Sequence, residues 1–109
     1  MIININDLKE VTIKNMNNGN GEVIAKMYMD KDGKIIYSII PPHSSIGMHT
    51  HNTSDDINYV LEGNGLAICD DIEEELHPGI VHICKKGSSH SIINNGEKDL
   101  ILFTVVNEK

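Results

Sequence analysis

The sequence predicts an all-β protein built as a sandwich or closed barrel. Its apolar residues fall in ten short stretches, too brief and too alternating for the 3.6-residue period of a helix. Turn signals such as Asp32-Gly33, Gly63-Asn64-Gly65, Pro78-Gly79 and Asn95-Gly96 separate them, at the ~8–12-residue intervals typical of sandwiches and barrels. No alternation of strand and helix patterns competes with this reading.

In chain order, only residues 1–10 suit a helical turn, with Asn6 or Asp7 as its N-cap. Strands are expected over 11–13, 22–29 and 34–40. Asn17-Asn18-Gly19 separates the first two, and Asp32-Gly33 supplies the positive φ that a tight hairpin needs between the second and third. After Pro41-Pro42, strands follow at 48–51 and 57–61, then at 66–69 beyond the Gly63-Asn64-Gly65 turn. Asp70-Asp71 leads into 72–76, Pro78-Gly79 into 81–84, Lys86-Gly87 into 90–93 and Asn95-Gly96 into 100–106.

A length of 109 residues fits one domain spanning 1–109, with no repeat or linker to divide it. No apolar run approaches the ~20 residues of a membrane span. Asp7 and Glu10 break the N-terminal stretch where a secretory signal would be basic and then greasy, so the expected location is the cytoplasm. A net charge of −7, with nine scattered lysines and no arginine, argues against a nucleic-acid partner. The acidic run from Asp70 to Glu75 reads as a solvated turn and strand edge. Cys69 and Cys84 lack Cys-x-x-Cys spacing and are expected to pack as small hydrophobes.

The six histidines are unevenly placed. His49 and His51 are two apart on an expected strand, so both imidazoles point to one face, as a divalent transition metal would require. A His-x-His pair alone also fits an ordinary polar strand face. Asp55 and Asp56 follow, and His90 arrives far downstream in Gly87-Ser88-Ser89-His90. Strand alternation turns Asp55 away from Asp56, which makes Asp55 a solvated turn residue.

These residues resemble the cupin family through both of its motifs. The first, G-x5-H-x-H-x3,4-E-x6-G, is met by His43-x5-His49-x-His51-x4-Asp56-x6-Gly63. The second, G-x5-P-x-G-x2-H-x3-N, is met by Gly79-x5-Lys85-x-Gly87-x2-His90-x3-Asn94. His43 stands for the leading Gly and Lys85 for the Pro, both at turns. Asp56 stands for the family's Glu and is one methylene shorter. The resemblance implies a jelly-roll barrel, the double-stranded β-helix, holding a metal through His49, His51 and His90. Asp56 is the implied fourth ligand, acting directly, through a water or by hydrogen-bonding a histidine.

The remaining histidines receive other assignments. His43 and His77 belong to exposed turns, and His82 is a hydrogen-bonded wall residue with the alternative of facing the cavity. Asn94 ties a turn to the barrel. Neutral imidazoles and a carboxylate suit Mn, Fe, Co, Ni, Cu or Zn. Two functions stay open: a metal-dependent enzyme acting on a small organic acid or sugar, and a non-catalytic binding or sensing module whose metal captures a small ligand or simply staples the barrel. Residues 34–40 and 100–106 are apolar on both strand faces, which fits sheet packing in the homodimer that the resemblance also implies.

Overall fold

The computed structural model describes residues 1–109. Ten strands form: β1 (Glu10–Lys14), β2 (Glu22–Asp30), β3 (Gly33–Ile40), β4 (Ser45–Thr50), β5 (Ser54–Glu62), β6 (Gly65–Cys69), β7 (Ile72–Leu76), β8 (Val81–Cys84), β9 (Ser89–Ile93) and β10 (Leu100–Glu108). They pair antiparallel in a six-stranded sheet, β1-β2-β3-β10-β5-β8, and a four-stranded sheet, β4-β9-β6-β7. This is the jelly-roll arrangement. Every expected strand is present, most of them extended at one or both ends.

Two short 3-10 turns precede β2. The first, Ile5–Asp7, is capped by the side chain of Asn4, which accepts from the Asn6 amide at 3.0 Å. The cap therefore falls earlier than the expected Asn6 or Asp7, because this turn is a single 3-10 loop that starts before them. The second, Met16–Asn18, was not anticipated; Asn15, Asn17 and Asn18 all take left-handed backbone there, a conformation that asparagine tolerates.

The inner face of the six-stranded sheet changes character along the strands. One row of laterally paired residues runs Val23, Ile40 toward Leu100, and the next is Ala25, Ser38, Leu102, Val60. Further along come Ile36, Thr104, Asn58, His82, and then Lys34, Val106, Asp56, Cys84. Val23, Ile40, Val60, Leu100 and Leu102 join Ile46, Ala67, Leu76 and Ile92 of the other sheet in one buried cluster. The interior is thus closed by aliphatic packing at one end and lined by polar groups at the other, around a cavity of about 580 Å³.

A β-bulge in β4 decides what faces that cavity. Ile46 pairs with Ile92 and His49 with His90, so three steps on β4 oppose two on β9. Strict alternation from the buried Ile46 would turn Met48 inward. The extra residue resets the parity, leaving Met48 exposed and His49 inside. Gly47 sits in the bulge because a Cβ there would collide with the Asn17 carbonyl and the Gly19 amide of the neighbouring turn.

Asn94, after β9, is fully buried. Its amide donates to the carbonyls of Ile40 and Lys98 at 2.8 and 2.7 Å, and its carbonyl accepts from Gly96 N at 2.9 Å. It joins the β9–β10 turn to β3, the tying role expected of it.

Candidate metal centre

His49 comes from β4, His51 from just beyond it, Asp56 from β5 and His90 from β9, so both sheets contribute. The Nε2 atoms of the three histidines converge: His49 and His51 are 3.1 Å apart, His51 and His90 3.0 Å, and His90 and His49 3.1 Å. Asp56 Oδ2 lies 3.2 Å from His51 Nε2 and 3.0 Å from His90 Nε2. The sixth pair, His49 with the Asp56 carboxylate, is wider, but all four donor atoms lie within 4.8 Å of one another.

Electrostatics make this cluster informative. Burial lowers the pKa values of His49 and His51, so their rings favour the neutral state. Burial also pushes the Asp56 carboxyl up, but the His90 hydrogen bond, the electrostatic influence of the His51 ring and the Asn58 amide outweigh it and hold that carboxyl below its ordinary value. Electron-rich atoms thus crowd one point, an arrangement that a cation would stabilise. Equal tetrahedral spacing would make all six separations alike. Five short separations and one long one are instead those of four octahedral corners, with His49 and Asp56 opposite each other. Short edges of this length correspond to metal–donor bonds of ~2.1–2.3 Å, close to the usual range for nitrogen and oxygen ligands. Two adjacent corners are left over. The shorter Asp56 side chain therefore still reaches the cluster directly.

The donors are held by further contacts. His49 Nδ1 donates to the Gly47 carbonyl at 2.7 Å. Asn58 Nδ2 donates to Asp56 Oδ2 at 3.2 Å, and Thr104 Oγ1 donates to Asn58 Oδ1 at 2.6 Å. Behind His90, its Nδ1 is 2.9 Å from His82 Nε2, and His82 Nδ1 is 2.8 Å from Glu74 Oε1. His82 is therefore the hydrogen-bonded wall residue expected. Glu74 belongs to the acidic run that reads as solvated, yet it lies two residues from the buried Leu76 on β7 and so shares that residue's face.

Asp55 corrects an expectation. It points away from Asp56, yet it is buried, accepting from Lys86 N at 2.8 Å and pairing with Lys109 Nζ at 2.7 Å. The chain's last residue covers it, a contact that local alternation does not reveal. His43 and His77 lie in turns, and His43 reaches only Glu97 at the surface. Its φ of 63° shows why the motif prefers Gly there. Cys69 and Cys84 meet across the two sheets outside the donor group; burial pushes the Cys84 thiol up to about 12.

A cupin-domain family model matches residues 36–106. The "Oxalate-binding protein" of Thermotoga maritima is 30% identical over 97% of this chain and 93% of its own. An uncharacterized protein of Methanocaldococcus jannaschii is 32% identical over 69% of this chain and 74% of its own. Among solved structures, one described as a predicted oxalate decarboxylase from Thermotoga maritima superposes with a TM-score of 0.93 at 29% identity, covering 100% of both chains. An RmlC-like cupin from Shewanella frigidimarina superposes with a TM-score of 0.82 at 12% identity, over 99% of this chain and 90% of that one, which supports the fold alone.

Proposed function

The chain belongs to the cupin family, and from that premise we propose that it binds a small dicarboxylate, oxalate or a close analogue, at a divalent metal held by His49, His51, Asp56 and His90. The observation that carries this reading is the donor spacing, five short separations and one long, which leaves two adjacent positions. Such a pair suits a ligand presenting two oxygens on neighbouring carbons. The bound cation would supply Lewis acidity and a two-point anchor for those oxygens.

The chain's own residues contribute charge and shape. A divalent cation against one carboxylate leaves a net positive charge, and Lys34 adds a second. Lys34 lines the cavity, lies in the same lateral row as Asp56 and makes none of the structure's ion pairs. Its charge is felt at His51. Glu108 at the same cavity wall offsets one of these charges, so the lined space with its cation stays net positive and attracts an anionic ligand. Beyond the four donors, Lys34 and Glu108 are the only side chains with ordinary acid–base groups lining this space, which favours capture over turnover. The 30% identical relative named for oxalate binding supports the same ligand class.

Calorimetry of oxalate against the Mn(II)-loaded protein tests this. Saturable binding is expected, with oxalate recovered unchanged and acetate bound far more weakly. Lys34→Met should weaken oxalate about tenfold, or ~1.4 kcal/mol, while leaving Mn(II) affinity intact. Equal affinities for acetate and oxalate would rule out two-point capture.

A second copy of the chain is the partner proposed for the outer face of the six-stranded sheet. Ile39, Tyr37, Phe103, Tyr59 and Leu61 line a groove there, and Val81 and Ile83 continue it at 51% and 45% exposure. So broad an apolar face is unusual on a monomer. Light scattering coupled to gel filtration should give a dimer mass, and Phe103→Asp should give a monomer. A monomeric wild type at micromolar concentration would refute this.

A further inference from the structure

We infer that the ligand this cavity is shaped for is a 2-oxo monocarboxylic acid with an aliphatic side chain, whose tail lies against a wall formed by Val11, Ile13, Met16, Met27 and Ile36. Its anchor, the carboxylate and oxo oxygens on the cation, rests on the chelation reading above; the tail site stands apart from it. Size is the first argument. The cavity of about 580 Å³ has room for on the order of twenty waters at ~30 Å³ each, whereas oxalate has no atoms beyond two joined carboxylates. Oxalate would leave most of that space unfilled. A 2-oxo acid offers the same pair of oxygens on neighbouring carbons and adds the substituent that oxalate lacks.

The fold separates the two ends of such a ligand. β7 and β8 meet at one seam through Glu74 and His82, so the extra strands of the wider sheet, β1 and β2, lie on the side of β4. One lateral row of the inner face runs from Asn58 on β5 through Thr104 on β10 and Ile36 on β3 to Met27 on β2. It is polar where Asn58 donates to Asp56 and apolar from Ile36 onward. At ~4.8 Å per strand, Ile36 stands about 10 Å and Met27 about 14 Å from the strand that carries Asp56, farther than a two-carbon ligand held at Asp56 extends. Val11 and Ile13 on β1 front the same space, as does Met16 of the second 3-10 turn. Met27 is 44% exposed and Val11 39%, although both line the cavity. Apolar side chains on an inner wall ordinarily pack against one another. Here they border open space that an aliphatic tail would fill, and the flexible thioethers of Met16 and Met27 adapt to a branched shape. Lys34 is the only lysine lining the cavity, so the apolar wall offers nothing to receive a second carboxylate.

Two readouts test this. Calorimetry on the Mn(II)-loaded protein compares pyruvate, 2-oxobutanoate, 2-oxopentanoate and 4-methyl-2-oxopentanoate, acids that share the anchor and differ in the tail. Affinity should rise about fourfold for each methylene buried, hence up to ~60-fold from the first to the last. Met27→Gln keeps the length of a half-exposed side chain and should flatten this gradient. Met29→Gln, on the same strand but outside the cavity, should leave the gradient unchanged. The second readout locates the tail through methyl spectra of protein labelled with ¹³C-methyl methionine, both Zn(II)-loaded and metal-free. In both forms millimolar 4-methyl-2-oxopentanoate should shift Met16 and Met27 and spare Met1, Met29 and Met48, none of which lines the cavity. Oxalate should shift Met16 and Met27 far less.

A flat series in wild-type protein that binds oxalate overturns the inference, as does a gradient that Met27→Gln leaves intact. Failure of both oxalate and pyruvate to bind would instead remove the chelation reading, and the metal-free spectra then decide the tail site alone. Shifts confined to Met16 and Met27 support it, and unmoved methyls overturn it.

Discussion

His90→Ala is expected to lower Mn(II) or Co(II) affinity more than ~100-fold, beyond what the loss of any partner behind a metal ligand would cost. His90 is the hub of the cluster: its Nε2 touches His49, His51 and Asp56 at 3.1, 3.0 and 3.0 Å, and its Nδ1 closes the contact with His82. Its removal deletes one donor and leaves Asp56 buried without its main hydrogen-bond donor, so the carboxyl should drift upward in pKa and become a poorer ligand. Asp56→Asn keeps the size and the Asn58 neighbourhood but removes the charge, and should fall less far than His90→Ala. Titration calorimetry on chelator-stripped protein gives both values. Wild-type affinity in His90→Ala would exclude a site centred on these four residues.

The second large effect concerns stability. Asn94→Ala should destabilise the fold by ~3 kcal/mol, because the carbonyls of Ile40 and Lys98 and the amide of Gly96 lose their partners at once. The Asn94 position itself is 0% exposed, so solvent cannot readily replace the lost bonds. For a domain of this size, that corresponds to a melting temperature lower by on the order of 15 °C, against a total stability of ~5–15 kcal/mol. Differential scanning calorimetry of the metal-free protein would show it, and a shift under ~3 °C would mean that water or a rearranged turn satisfies these groups.

Much of the architecture is legible in the sequence because hairpin turns and alternation are local. Asp32-Gly33 and Gly63-Asn64-Gly65 announce their turns by chemistry alone, and the spacing of His49, His51, Asp56 and His90 survives in linear form. What the sequence conceals is non-local. Asp55 looks solvated until Lys109 folds across it. Glu74 disappears into an acidic run until the seam between β7 and β8 places it against His82. The thiols of Cys69 and Cys84, fifteen positions apart, meet only because their strands end on facing sheets. The β4 bulge is hidden for another reason: alternation counted from His49 gives the right face for the histidines, while counting from Ile46 gives the wrong one, and nothing local shows where the count resets.

The four donors arise from both sheets, β4 and β9 on one side and β5 on the other. A cation shared among them would cross-link the two halves of the barrel without a covalent bond, and only the folded chain assembles all four. Folding and metal uptake then become linked equilibria. The free energy of unfolding should rise with the logarithm of free metal concentration, by ~2.7 kcal/mol at a hundredfold excess over the dissociation constant. The thermal transition of the barrel would then serve as a gauge of the metal activity around it.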